Sequence, residues 1–139
     1  MIFSLTLHDA SIFINDLLKI DQGTIGEKWA AENFLFPMEM KWELSHRAET
    51  GKKSTGFLIA SKKENMAHIH RVAVDREFQG KGVGKEMIDE LEQKAKKFLL
   101  DGITLKVATE NKNAIDFYTH IGFKLQNLEG HNFLMMKNF

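Results

Sequence analysis

The sequence predicts one α/β domain spanning residues 1–139, with a mixed, twisted sheet of about six or seven strands and helices on both faces. Residues 67–74 form an apolar run with β-branched side chains, and a glycine loop connects this run to an amphipathic helical pattern beginning near residue 85. A second β-rich run at residues 103–108 follows, and strand, helix and strand in succession indicate a right-handed parallel crossover. A chain of 139 residues is the size of one ordinary domain with one core.

The composition excludes several classes of protein. Hydrophobic residues make up 43% and charged residues 27%, as in a folded globular chain. Nineteen basic residues balance nineteen acidic ones, so neither nucleic acid nor an anionic membrane is an expected partner. The absence of cysteine excludes disulfides, thiol catalysis and cysteine metal sites. The N-terminus lacks a signal-peptide pattern and no apolar run is long enough to span a bilayer, so a cytoplasmic location is expected.

The first forty residues predict one short strand and two helices. Residues 2–7 alternate apolar and polar side chains, as in a half-buried strand, and Asp9 or Ser11 is placed to cap the helix that follows. A second helical pattern over residues 27–36 ends before Pro37, because a residue that precedes proline is disfavoured in a helix. The side chains that these helices are expected to bury are Ile12, Phe13, Leu17, Leu18, Trp29, Ala30, Phe34 and Leu35.

Turn signals define the remaining strands. These strands are predicted at residues 40–47, 55–61, 123–126 and 132–137. The turn composition of residues 49–53 makes the first two an antiparallel hairpin, and the turn at 62–66 places the second beside the strand at 67–74. The sheet is therefore predicted to be antiparallel on one side of the crossover.

The loop between the central strand and helix has glycines at alternate positions, Gly80, Gly82 and Gly84. Glycine permits a positive φ and has no Cβ to keep a ligand away from the backbone amides. At a helix N-terminus, such a loop presents unpaired N–H groups and the positive end of the helix dipole to phosphate oxygens. Lys81 and Lys85 add positive charge there. The predicted phosphate-binding loop consists of Gln79, Gly80, Lys81, Gly82, Val83, Gly84 and Lys85.

Two other phosphate loops fit this sequence poorly. A Walker loop requires Gly-Lys-Ser/Thr, but Glu86 follows Gly84-Lys85, and Gln79 occupies the place of the first glycine. The dinucleotide fingerprint requires a glycine where Lys85 stands. A nucleotide-binding protein of either kind is therefore the more remote interpretation.

A second motif begins about thirty residues after the loop. Asn111 lies seven residues before Tyr118, and Gly122-Phe123 follows shortly after. Asn113 is expected to cap a short helix that carries Tyr118 on its apolar face and ends at Gly122. A tyrosine on such a face is either a core aromatic or a functional group, and the residues alone leave both readings open.

Together the two motifs resemble those of the GNAT superfamily of N-acetyltransferases. The loop matches the family pattern Gln/Arg-x-x-Gly-x-Gly/Ala at every fixed position, and the Asn, Tyr and Gly-Phe follow in the family's order. The resemblance covers roughly residues 55–137. It implies a GNAT-like fold, acetyl-coenzyme A as cosubstrate, and direct transfer of the acetyl group to a primary amine of a small molecule or peptide.

The resemblance also implies roles for particular residues. Tyr118 is the expected general acid, which protonates the leaving thiolate, and Asn111 is expected to hydrogen-bond the pantetheine arm. The coenzyme is expected between the strands at 67–74 and 103–108, with its pyrophosphate on the amides of residues 80–85. Backbone groups of the central strand are expected to bind the coenzyme and the developing oxyanion. These groups belong to Val72, Ala73 and Val74.

For the proton acceptor, the family pattern indicates two positions. Some relatives place a Glu eleven residues before the loop Gln, and here that position is His68, whose ordinary pKa of about 6.5 suits a base at neutral pH. Relatives that acetylate protein N-termini use a Glu twelve residues before the Tyr, and here that position is Lys106. His68 is therefore the expected acceptor, directly or through water, with His70 and Glu43 as reserves.

The two histidines of the central strand also bear on a metal site. Alternation of side chains along a strand predicts that His68 and His70 share a face with Val72 and Val74. No third ligand stands at a suitable spacing, so no metal is expected.

The acceptor amine is not specified by these motifs. Its selection is expected from residues 17–39 and 126–131, where Glu32, Glu39 and the nearby Glu43 either attract a cationic small molecule or form a solvated face. A protein N-terminal or lysine acetyltransferase and a non-catalytic acetyl-coenzyme A-binding module both stay open. So does the oligomeric state, either monomer or homodimer.

Overall fold

The computed structural model describes residues 1–24 and 26–139, which form seven strands and six α-helices. The strands are β1 (Ile2–Ser4), β2 (His46–Thr50), β3 (Lys53–Lys63), β4 (Met66–Val74), β5 (Gly102–Ala108), β6 (Lys124–Glu129) and β7 (Asn132–Asn138). The helices are α1 (Leu7–Ile12), α2 (Ile14–Asp21), α3 (Ala31–Leu35), α4 (Lys41–Leu44), α5 (Val83–Lys97) and α6 (Lys112–His120). A single 3₁₀ turn, Arg76–Phe78, precedes the glycine loop.

All seven strands belong to one sheet with the order β1-β2-β3-β4-β5-β7-β6. The pair β4 and β5 is parallel and the five other neighbouring pairs of the described chain are antiparallel. Helix α5 makes the crossover between the two parallel strands. The mixed sheet predicted from the sequence is therefore confirmed.

The sheet separates two clusters of buried side chains, one on each face. Helix α5 contributes Met87, Ile88, Leu91 and Ala95 to one cluster, as its helical spacing predicts. Helices α1 to α3 cover the opposite face, where Leu17 and Phe34 pack against Phe57 and Ile59 of β3. Helices on both faces are thus confirmed. In residues 1–24 and 26–139 no helix has the length and apolar character needed to cross a membrane.

The first helix begins earlier than the sequence indicated. Thr6 is the N-cap, its hydroxyl accepting from the Asp9 N–H at 3.0 Å while the Asp9 carboxylate accepts from the Thr6 N–H at 3.3 Å. Strand β1 ends at Ser4 and the N-cap is Thr6, so the predicted N-cap positions Asp9 and Ser11 are wrong, although Asp9 takes part in the cap as the third helical residue. Ile12 lies on the outer face and is 59% exposed, so its predicted burial is also wrong.

Tertiary contacts shorten the second predicted helix. The Trp29 N–H donates to the Asp21 carboxylate at 2.7 Å, which places residue 29 outside any helix. The Asn33 side chain accepts from the Ala30 N–H at 2.7 Å, and α3 begins at the next residue. The predicted helix over residues 27–36 therefore contracts to Ala31–Leu35, and Ala30 is exposed.

The predicted strand at residues 40–47 is largely a helical turn. Met40 adopts a left-handed conformation with φ 56°, and α4 follows it. The buried Lys41 ammonium donates to the carbonyl oxygens of Phe34 and Phe36, both at 2.6 Å, and so fixes α4 beneath α3. Strand β2 begins only at His46. These contacts override the local strand preference.

A bulge in β4 changes which side chains share a face. Ile59 of β3 lies opposite Arg71 and Ala60 lies opposite Ile69, so His70 is the extra residue. Ile69 therefore packs in the same cluster as Val72, with two residues between them instead of the one that regular alternation would leave. His68 pairs with Thr104 on the opposite face from Val72 and Val74. The predicted common face of these four side chains is wrong, because the simple alternation ends at the bulge.

Candidate active site

The parallel strands β4 and β5 are paired at only one end. Their registered pairs are Ala67 with Ile103, His68 with Thr104, and Ile69 with Leu105. Beyond these pairs the strands diverge, and a cavity of about 360 Å³ lies at the divergence. Its lining residues come from both strands, α6, the α2–α3 connection and β7. They include Thr24, His70, Arg71, Val72, Lys106, Asn111, Tyr118 and Asn132.

The edge of β4 presents backbone groups to this divergence. The Asp75 N–H donates to the Thr55 carbonyl of β3 at 2.8 Å. Because the backbone direction alternates along a strand, Ala73 also faces β3, whereas Val72 and Val74 face β5. The Gln79 side-chain amide donates a hydrogen bond to the Val74 carbonyl at 3.1 Å. The N–H groups of Val72 and Val74 thus point to the opening, where a ligand that carries acceptors can bind them.

The glycine loop enters α5 with its amides exposed. Gly80 has φ 77° and Gly82, the N-cap, has φ 85°, a region that side chains disfavour. The Glu86 N–H donates to the Gly82 carbonyl at 3.0 Å, so the amides of residues 83–85 precede the first intrahelical bond. A Cβ on Gly84 would lie 3.6 Å from Phe117 and 3.8 Å from Val74, so the loop lies close to α6 and β4.

Three polar side chains of the predicted loop have partners within the protein. Gln79 turns back to β4, as described, and so fixes the loop to the strand. Lys85 forms an ion pair with Asp89 at 2.8 Å, one turn further along the exposed face of α5. The Lys81 ammonium lies 5.5 Å from the centre of the Phe78 ring. The groups of the loop that remain free to contact an anion are therefore its backbone amides, at the positive end of the dipole of the 15-residue helix.

Tyr118 lies in the cavity wall on α6. Its ring packs edge-to-face against Phe117 and Phe123, with centroids 5.4 and 5.6 Å apart. Its hydroxyl has no hydrogen-bond partner among residues 1–24 and 26–139. Burial raises the pKa of Tyr118 to about 12, so the hydroxyl stays protonated at neutral pH and is available as a donor.

Asn111 both caps α6 and lines the cavity. Its side-chain oxygen accepts from the Ala114 N–H at 3.2 Å, so Asn111 is the N-cap of α6 and the predicted cap Asn113 is wrong. Asn113 lies inside the helix because α6 begins at Lys112. Asn111 also lines the cavity, and its amide N–H₂ group is not used by the cap.

The two histidines of β4 differ in their access to the cavity. Of the two, His70 is among the lining residues that the structure describes and His68 is not. His68 lies behind it, with ring centroids 4.9 Å apart, and its Nδ1 is 2.8 Å from the Thr104 hydroxyl. His70 Nε2 lies 2.6 Å from the Ser61 hydroxyl. The third candidate base, Glu43, is exposed on α4.

Burial keeps both rings neutral at pH 7. It lowers the pKa of His68 to about 4, and the neighbouring His70, Lys63 and Lys106 act in the same direction. Burial also lowers the pKa of His70, as do the charges of Lys41 and Lys63. Within the described chain, residues 1–24 and 26–139, no group of three His, Asp or Glu side chains is arranged to hold a metal ion.

A largely buried ion pair that the sequence did not indicate lies beside the cavity, which its Arg71 side chain lines. Arg71 of β4 donates to the Asp21 carboxylate through Nε at 2.7 Å and through a terminal nitrogen at 3.2 Å. The same guanidinium donates to the Thr24 hydroxyl at 2.7 Å and the Glu27 carbonyl at 2.9 Å. Asp21 and Arg71 are fifty residues apart in the chain, so no local pattern signals the contact.

An open parallel strand pair, beside a glycine loop at a helix N-terminus and a tyrosine in the cavity wall, is the arrangement that the sequence led us to expect of an acetyltransferase. The family model of the acetyltransferase (GNAT) family matches residues 15–123. This match covers well over half of the chain, and the chain therefore belongs to that family.

Similar proteins agree with this assignment. An uncharacterised N-acetyltransferase of Methanocaldococcus jannaschii is 32% identical over 105 residues, which are 70% of this chain and 46% of the relative. The chain thus spans about half the length of that relative. The Escherichia coli ribosomal-protein-S18-alanine N-acetyltransferase superposes with a TM-score of 0.84 at 20% identity, covering 99% of this chain and 92% of that one. The PaiA N-acetyltransferase of Thermoplasma acidophilum, in complex with coenzyme A, gives 0.81 at 23%, covering 100% and 98%.

Proposed function

We propose that this protein is an acetyl-coenzyme A-dependent N-acetyltransferase that moves the acetyl group directly to a primary amine of a small molecule or peptide. The observation that carries the proposal is the divergence of β4 and β5, which opens a cavity between the backbone edge of β4 and the Tyr118 hydroxyl. Family membership and the coenzyme A complex of the similar Thermoplasma acidophilum protein support acetyl-coenzyme A as the cosubstrate.

The coenzyme is proposed to lie across the loop and along β4. Its pyrophosphate would accept hydrogen bonds from the amides of residues 80–85, where the dipole of α5 is positive. Its pantetheine amides would pair with the β4 edge at Val72, Ala73 and Val74, of which Val72 and Val74 face the opening. The free amide of Asn111 would donate from the other side.

The reaction needs three groups around the thioester carbonyl. The neutral amine attacks the carbonyl carbon, and the oxygen that becomes anionic accepts from an N–H of the β4 edge. As the carbon–sulfur bond breaks, the Tyr118 hydroxyl donates to the leaving thiolate. A phenol with a pKa of about 12 is a weak acid, so it acts here by hydrogen bonding and by proton transfer as charge develops on sulfur.

The proton released by the amine is proposed to reach the histidine pair of β4. His70 lies at the cavity and His68 lies behind it, so His70 takes the proton first and His68, the acceptor expected from the sequence, acts through His70 or water. Because the pKa values of both rings are lowered, kcat/KM should stay level to below pH 6.5. Profiles of His70→Gln and His68→Gln test this, and two profiles identical to that of the wild type would reject the pair as acceptor.

The coenzyme site is tested by Gly82→Asp. This change places a carboxylate where the phosphate is proposed to bind and strains a residue with φ 85°. Gly51→Asp is the matched control, since Gly51 has φ 64° in the β2–β3 turn and also has open space around it. Calorimetric titration with acetyl-coenzyme A should show binding by wild type and Gly51→Asp and none by folded Gly82→Asp. Equal affinity in all three proteins would refute the placement.

Turnover separates an enzyme from a binding module. Thioester consumption by the wild-type protein is measured with a panel of small primary amines, peptides with free N-termini, and lysine peptides. Consumption with any of these supports acetyl transfer and identifies the acceptor class. Binding of acetyl-coenzyme A without consumption across the panel would favour the non-catalytic alternative.

A further inference from the structure

Among the strands of the described chain, β6 is at the outer edge of the sheet and pairs with β7 alone. All six of its residues, Lys124–Glu129, are exposed. Its sequence Lys-Leu-Gln-Asn-Leu-Glu contains no proline, and two of its exposed side chains are leucines, Leu125 at 51% and Leu128 at 61%. Natural edge strands are usually protected from pairing by proline, charges or coverage by another segment. This edge has a charge at each end and an unprotected centre.

A bulge orders the side chains of this strand into two sets. Leu125 lies opposite Met135 and Leu128 lies opposite Phe133, with Gln126 as the additional residue. Met135 and Phe133 both pack in the α5-side cluster, so the two leucines share that face. Glu129 lies near Lys106, at 3.7 Å, on the cavity face. Lys124 lies opposite Met136, Met136 lies opposite Thr104, and Thr104 lies beside His68. Lys124 is therefore on the cavity face as well.

The backbone N–H and C=O groups of β6 also fall into two sets, one facing β7 and one facing outward. Glu129 and Asn132 flank a two-residue turn, so they form a hydrogen-bonded pair in which the Glu129 backbone faces β7. Hydrogen-bonded pairs recur at every second residue of β7, so the next two are Leu134 with Asn127 and Met136 with Lys124. Leu125 and Leu128 are therefore the residues whose backbone groups face away from the sheet.

We propose that β6 pairs with β6 of a second copy of this chain, antiparallel about a two-fold axis between Gln126 and Asn127. The strand is self-complementary in that register. Lys124 lies opposite the partner's Glu129, Leu125 opposite the partner's Leu128, and Gln126 opposite the partner's Asn127. The outward-facing backbone of Leu125 meets the outward-facing backbone of the partner's Leu128. The charged pairs form on one face, the leucines pack on the other, and two seven-stranded sheets become continuous.

The expected dimer is weak. Six residues per chain form the contact, so the interface lies at the small end of the size range, below about 1,200 Å². Sedimentation velocity over about 1 to 500 µM protein should therefore show a concentration-dependent shift from the 16.0 kDa monomer to a particle of twice that mass.

Charge reversal tests the register. Lys124→Glu alone and Glu129→Lys alone each place like charges opposite one another twice per dimer, and each should weaken self-association at least about tenfold. An equimolar mixture of the two variants should restore dimers, because every contact then joins opposite charges. Lys52→Glu makes the same charge change in the exposed β2–β3 turn and should dimerise like the wild type.

The backbone contact is tested by Leu128→Pro, which removes an outward-facing N–H and should abolish dimers in a protein that circular dichroism shows to be folded. A monomer at every concentration would overturn the proposal. So would a dimer that neither Lys124→Glu nor Glu129→Lys weakens, because its interface would then lie elsewhere.

Discussion

Tyr118 has the environment of a donor held ready for a ligand. Its ring is fixed by Phe117 and Phe123, whereas its hydroxyl lies in the cavity without a partner among the residues described. Burial raises its pKa to about 12, because the low-polarity surroundings disfavour the phenolate. The side chain therefore keeps its proton at neutral pH.

Replacement of this hydroxyl should separate catalysis from folding. Tyr118→Phe keeps the ring packing and removes only the donor, so kcat should fall about a hundredfold while Kd for acetyl-coenzyme A changes little. The free energy of unfolding should change by less than about 1 kcal/mol, since the hydroxyl has no partner in residues 1–24 and 26–139. Steady-state kinetics, calorimetry and urea unfolding give the three quantities. An unchanged kcat would assign Tyr118 to packing alone.

His68 links stability to pH. Its pKa is lowered from the ordinary 6.5 to about 4, so the unfolded chain binds a proton more readily than the folded one. The stability that this group contributes is complete above pH 6.5 and is lost as the pH falls through about 4. The buried His46, whose pKa is lowered to about 3, acts in the same direction.

The unfolding midpoint temperature of the wild type should therefore fall between pH 6.5 and pH 4. The His68→Gln protein should show a shallower fall over the same interval, because it lacks one titrating group. Exposed His8→Gln is the control and should follow the wild-type curve. Thermal melts at half-unit pH steps measure the slopes, and parallel curves for wild type and His68→Gln would disprove the linkage.

At the scale of elements, the connection between α2 and α3 depends on one carboxylate. Asp21 ends α2, is fully buried, and accepts from the Arg71 guanidinium and the Trp29 N–H. Through these bonds β4 positions the connection over the cavity. The connection therefore cannot shift without exposing or unpairing a buried charge.

Asp21→Asn should be strongly destabilising because it leaves the largely buried Arg71 guanidinium, whose side chain is 19% exposed, without its counterion. We expect a loss of about 3 to 5 kcal/mol in the free energy of unfolding, measured by urea denaturation. Asp89→Asn makes the same chemical change in an exposed ion pair with Lys85 and should cost less than about 1 kcal/mol. In the folded Asp21→Asn protein, KM for the amine should rise more than Kd for the coenzyme. Equal costs for the two variants would contradict the anchoring role.

At the scale of the whole molecule, the sheet depends on close approach where β5 begins. A Cβ on Gly102 would lie 2.4 Å from the Lys137 carbonyl of β7 and 2.8 Å from the Met66 side chain of β4. Gly102 thus allows β5 to lie between β4 and β7, and so determines how the parallel pair starts before it diverges at the cavity.

Gly102→Ala should destabilise the protein by about 1 to 3 kcal/mol, because the carbonyl that the methyl group meets belongs to the backbone and cannot rotate away. Gly23→Ala is the control, since its Cβ would meet the nearest atom at an ordinary 3.5 Å. It should change stability by less than about 0.5 kcal/mol. Urea unfolding of both variants makes the comparison. Equal free energies of unfolding for Gly102→Ala and Gly23→Ala would show that β5 can move away from β4 and β7 at this point without loss of stability.

The features that the sequence predicted correctly are those specified by contiguous residues. The strand at 67–74, the glycine loop, the apolar face of α5 and the strand at 103–108 are all local patterns, and the structure contains each of them. Asn111 and Tyr118 line one cavity, and the glycine loop lies close to α6, where a Cβ on Gly84 would be 3.6 Å from Phe117. The errors at residues 27–36 and 40–47 occur where Asp21, Asn33 and Lys41 form contacts that local propensity does not encode.

The sequence by itself determined the family and the glycine loop that enters α5, because glycine spacing and helical periodicity act through backbone conformations that residue type directly restricts. Only the tertiary structure decided which histidine reaches the cavity and which side chains hold the α2–α3 connection. A single additional residue, His70, shifts the alternation of β4, and a buried ion pair joins residues fifty positions apart. Both depend on the register between strands and on packing across the sheet, which are properties of the folded chain as a whole.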